Sequence, residues 1–139
     1  HGQHGNIDYW VLKLNFAGDT VWTRTYGGSG GEEAKKIIHL DNGSYLIAGN
    51  SSSVDGDVKH NHGGDDYWLI NIDNSGDTIW TKTFGGSSTD YGNSVRQTMD
   101  GGYIIIGNTE SFAAGESDLW MIKIKPDISD IETNTDLSI

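Results

Sequence analysis

The chain has no cysteine among its 139 residues. That excludes disulfide staples, thiolate metal sites and a cysteine nucleophile, and leaves the redox compartment open. It has a single proline. Basic residues are scarce: nine Lys and Arg stand against twenty Asp and Glu, for a net charge of −11. A phosphate backbone or an anionic membrane surface would be repelled, so nucleic acid is excluded as an expected partner. No apolar run approaches the length of a membrane-spanning helix. No signal peptide is visible either, although the chain starts at His1, which reads as a processed or fragmentary N-terminus.

What is abundant is glycine, with twenty residues, and aromatics, with five Trp and six Tyr. Together they suggest tight turns between aromatic-rich strands rather than a disordered acidic tail. The order of these residues is the strongest signal. "DYWVLKLNFAGDTVWTRTYGG" starts at Asp8, "DYWLINIDNSGDTIWTKTFGG" starts at Asp66, and "DLWMIKIKP" starts at Asp118. An offset of 58 pairs Trp10 with Trp68, Trp22 with Trp80, Gly28 with Gly86, Tyr45 with Tyr103 and Gly49-Asn50 with Gly107-Asn108. Roughly 20 of about 50 aligned residues are identical, the mark of a structural repeat. Trp120 follows Trp68 by only 52 residues, and the shortening falls in one connection, which reads as a surface loop. All five tryptophans occupy repeat positions and are expected to pack.

Each unit reads as four strands. In "DYWLINID", Trp68, Ile70 and Ile72 alternate with Tyr67, Leu69 and Asn71, the period of a strand. "NSGD" is a turn, and "TIWTKTF" alternates again, so the two runs form a hairpin. Asp100-Gly101 marks a second hairpin turn. It leads into "YIIIGNTES", an apolar run expected to be buried on both faces. "EEAKKII" carries helical propensity, yet its repeat mate "YGNSVRQT" is a poor helix, so a strand is expected there too. Four antiparallel strands per unit, with Trp and Gly at fixed places, predict an all-β fold of β-propeller blades.

The same residues resemble a family. "DYW…GDTxWT[RK]TxGG" followed by "DGGYIIIGNT" is similar to the repeat of secreted bacterial propeller proteins with pyrroloquinoline-quinone-type blades. The resemblance spans about residues 5 to 125. It implies a β-propeller with residues 1–28 as the last two strands of a blade, 29–86 as a complete blade, 87–125 as three strands of another and 126–139 as a linker or tail. That is about two and a quarter blades, an incomplete ring, so the remaining blades of a longer parent chain or other copies are expected partners. The tail "PDISDIETNTDLSI" looks like the linker before a type IX secretion sorting domain, which implies export to the cell surface or beyond.

Propellers host many functions, so the site residues must be read separately. The loop "SVDGDVKHNHGGDD" offers Asp55, Asp57, His60, His62 and Asp65 as candidate metal ligands. Carboxylates at alternate positions of a Gly-containing loop could present oxygens to Ca²⁺, and His60 and His62 could hold a transition metal. Against this, His4 and His62 each stand four residues before Asp8 and Asp66, which favours a structural histidine that fixes the loop. Asp8, Asp66 and Asp118 begin equivalent strands on different units and are expected to satisfy loop amides. Glu32, Glu33 and Asp90 lie near the start of the innermost strand, where a sugar-cleaving pair would have to sit about 5–10 Å apart. No serine elbow, P-loop or dinucleotide fingerprint is present. No catalytic residue and no cofactor is therefore assigned. The expectation is a secreted, non-catalytic structural, adhesive or ligand-recognition module that meets a glycan or a surface protein. The alternatives are part of a carbohydrate-active enzyme and a scaffold that assembles edge to edge through unpaired strands.

Overall fold

The computed structural model describes residues 5–125. The expected linker from residue 126 onward and His4 therefore lie outside the described residues. The described chain is all-β: nine strands in three antiparallel sheets of two, four and three strands. An N-terminal pair holds β1 (Tyr9–Leu14) and β2 (Thr20–Tyr26). The central sheet has the order β3 (Glu32–His39), β4 (Tyr45–Ser51), β5 (Asp66–Ile72) and β6 (Thr78–Phe84). The C-terminal sheet has the order β7 (Asp90–Gln97), β8 (Tyr103–Thr109) and β9 (Asp118–Ile124). Every strand pairs with its sequence neighbour, so the topology is a simple meander within each sheet. "EEAKKII" is indeed a strand: cross-strand pairing and the turn at Gly43 override its helical propensity.

The turns follow from local chemistry. Asp73 Oδ1 accepts from the amides of Ser75 and Asp77, and Gly76 takes the left-handed φ of +82° that closes the β5–β6 turn. Asn15 and Gly18 repeat the device between β1 and β2. At the β7–β8 turn, Asp100 accepts from Thr98 Oγ1, the Gly102 amide and Lys123 Nζ. These bonds hold its carboxyl well below the usual carboxylate range.

The sheets stack face to face, and the central one is covered on both sides. Trp68, Ile70 and Ile72 pack toward the N-terminal pair with Tyr9, Tyr26, Ile47 and Val58. Tyr67 and Leu69 point the other way and pack with Leu46, Ala48, Val95, Tyr103 and Ile105. All seven residues of β5 are buried. The period-2 pattern is thus satisfied on two fronts, each residue set belonging to a different core.

One contact recurs at each junction. Tyr9 lies against Trp68 with ring centroids 4.5 Å apart, and Tyr67 lies against Trp120 at 5.0 Å. Each tyrosine Oη reaches the backbone carbonyl of the tryptophan it covers, at 3.4 and 3.2 Å. The tyrosine needs room where it crosses the strand beside the tryptophan. Gly49, opposite Trp68, supplies it: a Cβ there would lie 2.6 Å from Tyr9 Oη and 1.9 Å from the Glu33 carbonyl oxygen. Gly107 does the same for Tyr67. Burial pushes the Tyr9 and Tyr67 phenols well above their ordinary pKa, so both remain neutral donors.

The five tryptophans do not share one environment. Trp68 is fully buried, Trp22, Trp80 and Trp120 are half-buried, and Trp10 is 68% exposed. Trp10 keeps the hydrogen bond of its repeat mate, donating to Thr23 Oγ1 as Trp68 donates to Thr81 Oγ1. It has no sheet over it among the described residues. The outer face of β8 tells the same story. Ile104 and Ile106 are half-exposed and Asn108 is exposed, where the sequence suggested burial on both faces. Their mates Leu46, Ala48 and Asn50 are buried because the C-terminal sheet covers them.

Two consequences can be measured. Trp68→Ala should cost about 3–5 kcal/mol by chemical denaturation, whereas Trp10→Ala, at the same repeat position, should cost under about 1 kcal/mol. Asp100→Asn should lower the melting midpoint at pH 7. That gap should shrink as pH falls through the ordinary aspartate range toward the depressed pKa of the folded state, because the stabilisation is present above the unfolded pKa and lost below the folded one.

Candidate functional site

The chemistry-bearing residues gather at one rim of the stack, where each sheet hands over to the next. Gly27–Gly31 connects β2 to β3, and the long 52–65 connection joins β4 to β5. Backbone pairs fix the handover. The Glu32 amide donates to the Ile7 carbonyl at 2.8 Å, and the Asp90 amide donates to the Asp65 carbonyl at 2.6 Å. The Ser52 amide donates to Gly31, and the Glu110 amide donates to Thr89. Every one of these bonds has its counterpart 58 residues along.

Each handover holds a buried acid at the start of the next sheet's first strand. Glu32 is 1% exposed. Its Oε2 accepts from the Gly28 amide at 3.0 Å, and its Oε1 accepts from Ser51 Oγ at 2.8 Å and Ser53 Oγ at 2.5 Å. Asp90 is fully buried. It accepts from the Gly86 amide at 2.9 Å, from Ser111 Oγ at 2.6 Å and from Thr109 Oγ1. Gly28, Glu32, Ser51 and Ser53 are thus matched in register by Gly86, Asp90, Thr109 and Ser111. The two repeat glycines are required by this knot. A Cβ at Gly28 or Gly86 would come within 2.7 Å of the Cβ of Ser53 or Ser111. Sequence reasoning noticed the acids and the glycines but missed the hydroxyls. The signal available was the Ser-x-Ser and Thr-x-Ser spacing at the end of the second strand of each unit.

A second set of acids pins the loops that enter the third strands. Asp66 Oδ2 accepts from the His62 amide at 2.8 Å and meets His62 Nδ1 at 2.6 Å. Asp118 Oδ2 accepts from the Ala114 amide at 2.7 Å, again four residues back. The sequence expectation that a histidine four residues before the aspartate fixes the loop holds for His62; for His4 it falls outside the described residues. Burial raises the Asp66 pKa, opposed by the His62 hydrogen bonds, and the nearby Asp90 pushes it further up. Asp66 Oδ1 is buried without a hydrogen-bond partner.

The metal candidates of the 54–66 loop are distributed among separate tasks. Asp55 Oδ1 accepts from the Ser29 amide at 2.6 Å, and Asp57 Oδ2 accepts from the Gly27 amide at 3.0 Å. The His60 carbonyl accepts from Thr83 Oγ1, and Asp65 Oδ1 accepts from Asn50 Nδ2 at 3.4 Å. Asp55 and Asp57 therefore clamp the Gly27–Ser29 turn, while His62 serves Asp66. Among the described residues no three His, Asp or Glu side chains come together around one point. Glu33 stands apart from Glu32, as neighbours in a strand must. It faces solvent beside Lys35 at 2.5 Å.

Outside these knots, the rim carries an open cleft of about 190 Å³ lined by Arg24, Tyr26, Asp57, Gly76 and Asp77. Tyr26 Oη donates to the Gly76 carbonyl at 2.6 Å, closing its floor. Burial pushes this phenol up to about 12. Arg24 lies over the Trp22 ring at 5.9 Å and is half-buried, while Asp77 is exposed across the cleft.

Truncating the knot tests it. Glu32→Ala strands one buried amide and two buried hydroxyls and should cost about 3 kcal/mol. The melting midpoint of the unaltered chain should be the same in millimolar calcium as in chelator, because the Asp55 and Asp57 carboxylates already hold backbone amides; a calcium-dependent rise would contradict that assignment. Compared with known proteins, the chain matches no family model and no curated protein.

Proposed function

We propose that the chain is a secreted or cell-surface β-propeller segment that works as a structural, adhesive or ligand-recognition module and not as a catalyst. The observation that carries this reading is the use made of the buried acids. Glu32 and Asp90 each bind one backbone amide and two hydroxyls, at matching positions of successive units. Their oxygens are occupied in holding one sheet to the next. Glu33, the remaining acid of the sugar-cleaving set, faces solvent from the other side of its strand. A glycosidase needs two carboxyls facing one sugar, and these three acids do not form such a pair.

The stack supports the propeller reading because both junctions use the same aromatic lock and the same acid knot. One repeated operation therefore relates successive sheets, as it does around a ring. The cell-surface location rests on the sequence resemblance. Recognition is assigned to the rim cleft. Arg24, Asp77 and the surrounding backbone offer donors and acceptors beside the Trp22 ring, the combination that suits sugar hydroxyls or a polar loop of a surface protein.

The test is a panel of immobilised glycans and polysaccharides probed with the purified chain, with reducing ends assayed in the same wells. Retention on a glycan, lowered about tenfold by Arg24→Ala and without release of reducing sugar, is the expected result. Sugar release that Glu33→Gln abolishes would transfer the chain to the carbohydrate-active enzymes.

A further inference from the structure

We propose that Asn42 is a self-modification site: the β3–β4 turn places its carboxamide beside the Gly43 nitrogen and polarises it with Ser44, so that the chain converts this asparagine to aspartate with loss of ammonia. The turn lies at the opposite end of the strands from the handover loops, and the inference stands independently of ligand recognition.

Asn42-Gly43 is the one Asn-Gly step in the sequence. With no Cβ beside it, a glycine nitrogen is the least hindered nucleophile a backbone offers. Here the step sits at a turn tip. Asn42 is exposed, and Gly43 takes a left-handed φ of +86° with no atom within 4 Å of where its Cβ would be. The Leu40 amide donates to the Ser44 carbonyl and the Gly43 amide to the Leu40 carbonyl, both at 2.9 Å. The second of these bonds must open for the Gly43 nitrogen to turn toward Asn42 Cγ. Openings of this size at exposed turns are among the least costly motions of a fold.

What sets this turn apart is the other end of the amide. Asn42 Oδ1 accepts from the Ser44 amide at 3.0 Å and from Ser44 Oγ at 2.8 Å. The hydroxyl is held in place: Asn71 Nδ2 donates to Ser44 Oγ at 2.9 Å and to the Tyr45 carbonyl at 2.9 Å, so the Ser44 proton is directed at Asn42. Ser44 and Asn71 are 4% and 2% exposed. Two fixed donors on the carbonyl oxygen draw electrons from Cγ and stabilise the negative charge that builds on Oδ1 as the nitrogen attacks, as an oxyanion hole does. The turn itself requires neither side chain. In the mate turn between β7 and β8, Gly102 stands in place of Ser44 and Lys123 in place of Asn71, and the same two backbone bonds form.

In the first step the Gly43 nitrogen gives up its proton and bonds to Asn42 Cγ. The Cγ–Nδ2 bond breaks, and Nδ2 takes up a proton and leaves as ammonia. Water then opens the cyclic imide. Breaking the bond from the nitrogen to Cγ restores the ordinary chain with an aspartate at this position. Breaking the bond to the main-chain carbonyl carbon leaves a chain that runs through Cγ and is one methylene longer. The fold accommodates the first product, because the mate turn already holds it. Asp100 occupies the position of Asn42, its Oδ1 accepts from the Gly102 amide at 3.1 Å, and Gly101 keeps φ at +79°.

The test is peptide mapping by mass spectrometry of the full chain, aged in mildly alkaline buffer made with heavy-oxygen water so that each reacted asparagine is marked. Expected is conversion at Asn42 ahead of Asn74 and Asn93, exposed asparagines that precede a serine. Ser44→Gly, which copies the mate turn and so keeps the fold, should slow the reaction about fivefold or more, the rate equivalent of one hydrogen bond. Ser44→Thr, which returns a hydroxyl, should restore the rate. In urea, where the hydroxyl has no fixed place, all three chains should react alike. Asn42→Asp should keep the parent's circular dichroism and melting midpoint. An intact Asn42 in the aged chain would overturn the inference. So would a Ser44→Gly chain that reacts as fast as the parent or faster, since a serine that only staples the turn would hold the reaction back.

Discussion

The structure depends on a tyrosine of one sheet reaching across to a tryptophan of the next. Ring contact alone contributes about 0.5–1.5 kcal/mol beyond the area buried. Its larger effect is geometric. The phenol must end at the tryptophan's own carbonyl, so the two sheets can slide neither along nor across each other without losing the bond. Gly49 and Gly107 exist to let the ring through. Three residue types at fixed spacing therefore set the separation and the angle of successive sheets, and everything on the rim inherits that geometry.

The acid knots complete the joint at the other end of the strands. A carboxylate in a buried position is costly unless its oxygens are filled by donors. Here each knot fills them with one amide and two hydroxyls, drawn from the loop before the sheet and from the end of its second strand. The same arrangement fills the oxygens of both acids with donors from the chain itself. The loops pinned by Asp55, Asp57 and Asp66 follow the same logic: an excess of negative charge is spent on capping loop amides, which suits a strand-rich chain with many short connections.

Much of this was legible in the sequence because the repeat supplied its own control. The nine strands, the turns at Gly43 and Gly101, and the opposing faces of Trp68 and Tyr67 follow from alternation and a constant offset. Comparison of "EEAKKII" with "YGNSVRQT" resolved a segment that propensity alone would have misread. What the repeat could not show was which copies are covered. Trp10 and Trp68 have the same neighbours in sequence, but burial is set by the next sheet, and so is the difference between Ile37 and Val95. The knots were half visible: Glu32 and Asp90 stood out as acids, while the Ser and Thr hydroxyls that fill them, at the end of the second strand of each unit, went unnoticed. Asp55 and Asp57 have the spacing of cation ligands, yet their partners are amides more than 25 residues away, a distance no local pattern reports.

The connection between the second and third strands is six residues shorter in the last unit than in the one before it. The register of the flanking strands is nevertheless unchanged, with Gly49 opposite Trp68 and Gly107 opposite Trp120. In the shorter version Phe112 settles on Trp120 at 4.9 Å and closes the gap that the longer loop fills with Asp55 and Val58. Length at this point is thus decoupled from the framework. Natural diversification, or a grafted peptide, would be absorbed there while the sheets beneath stay where they are.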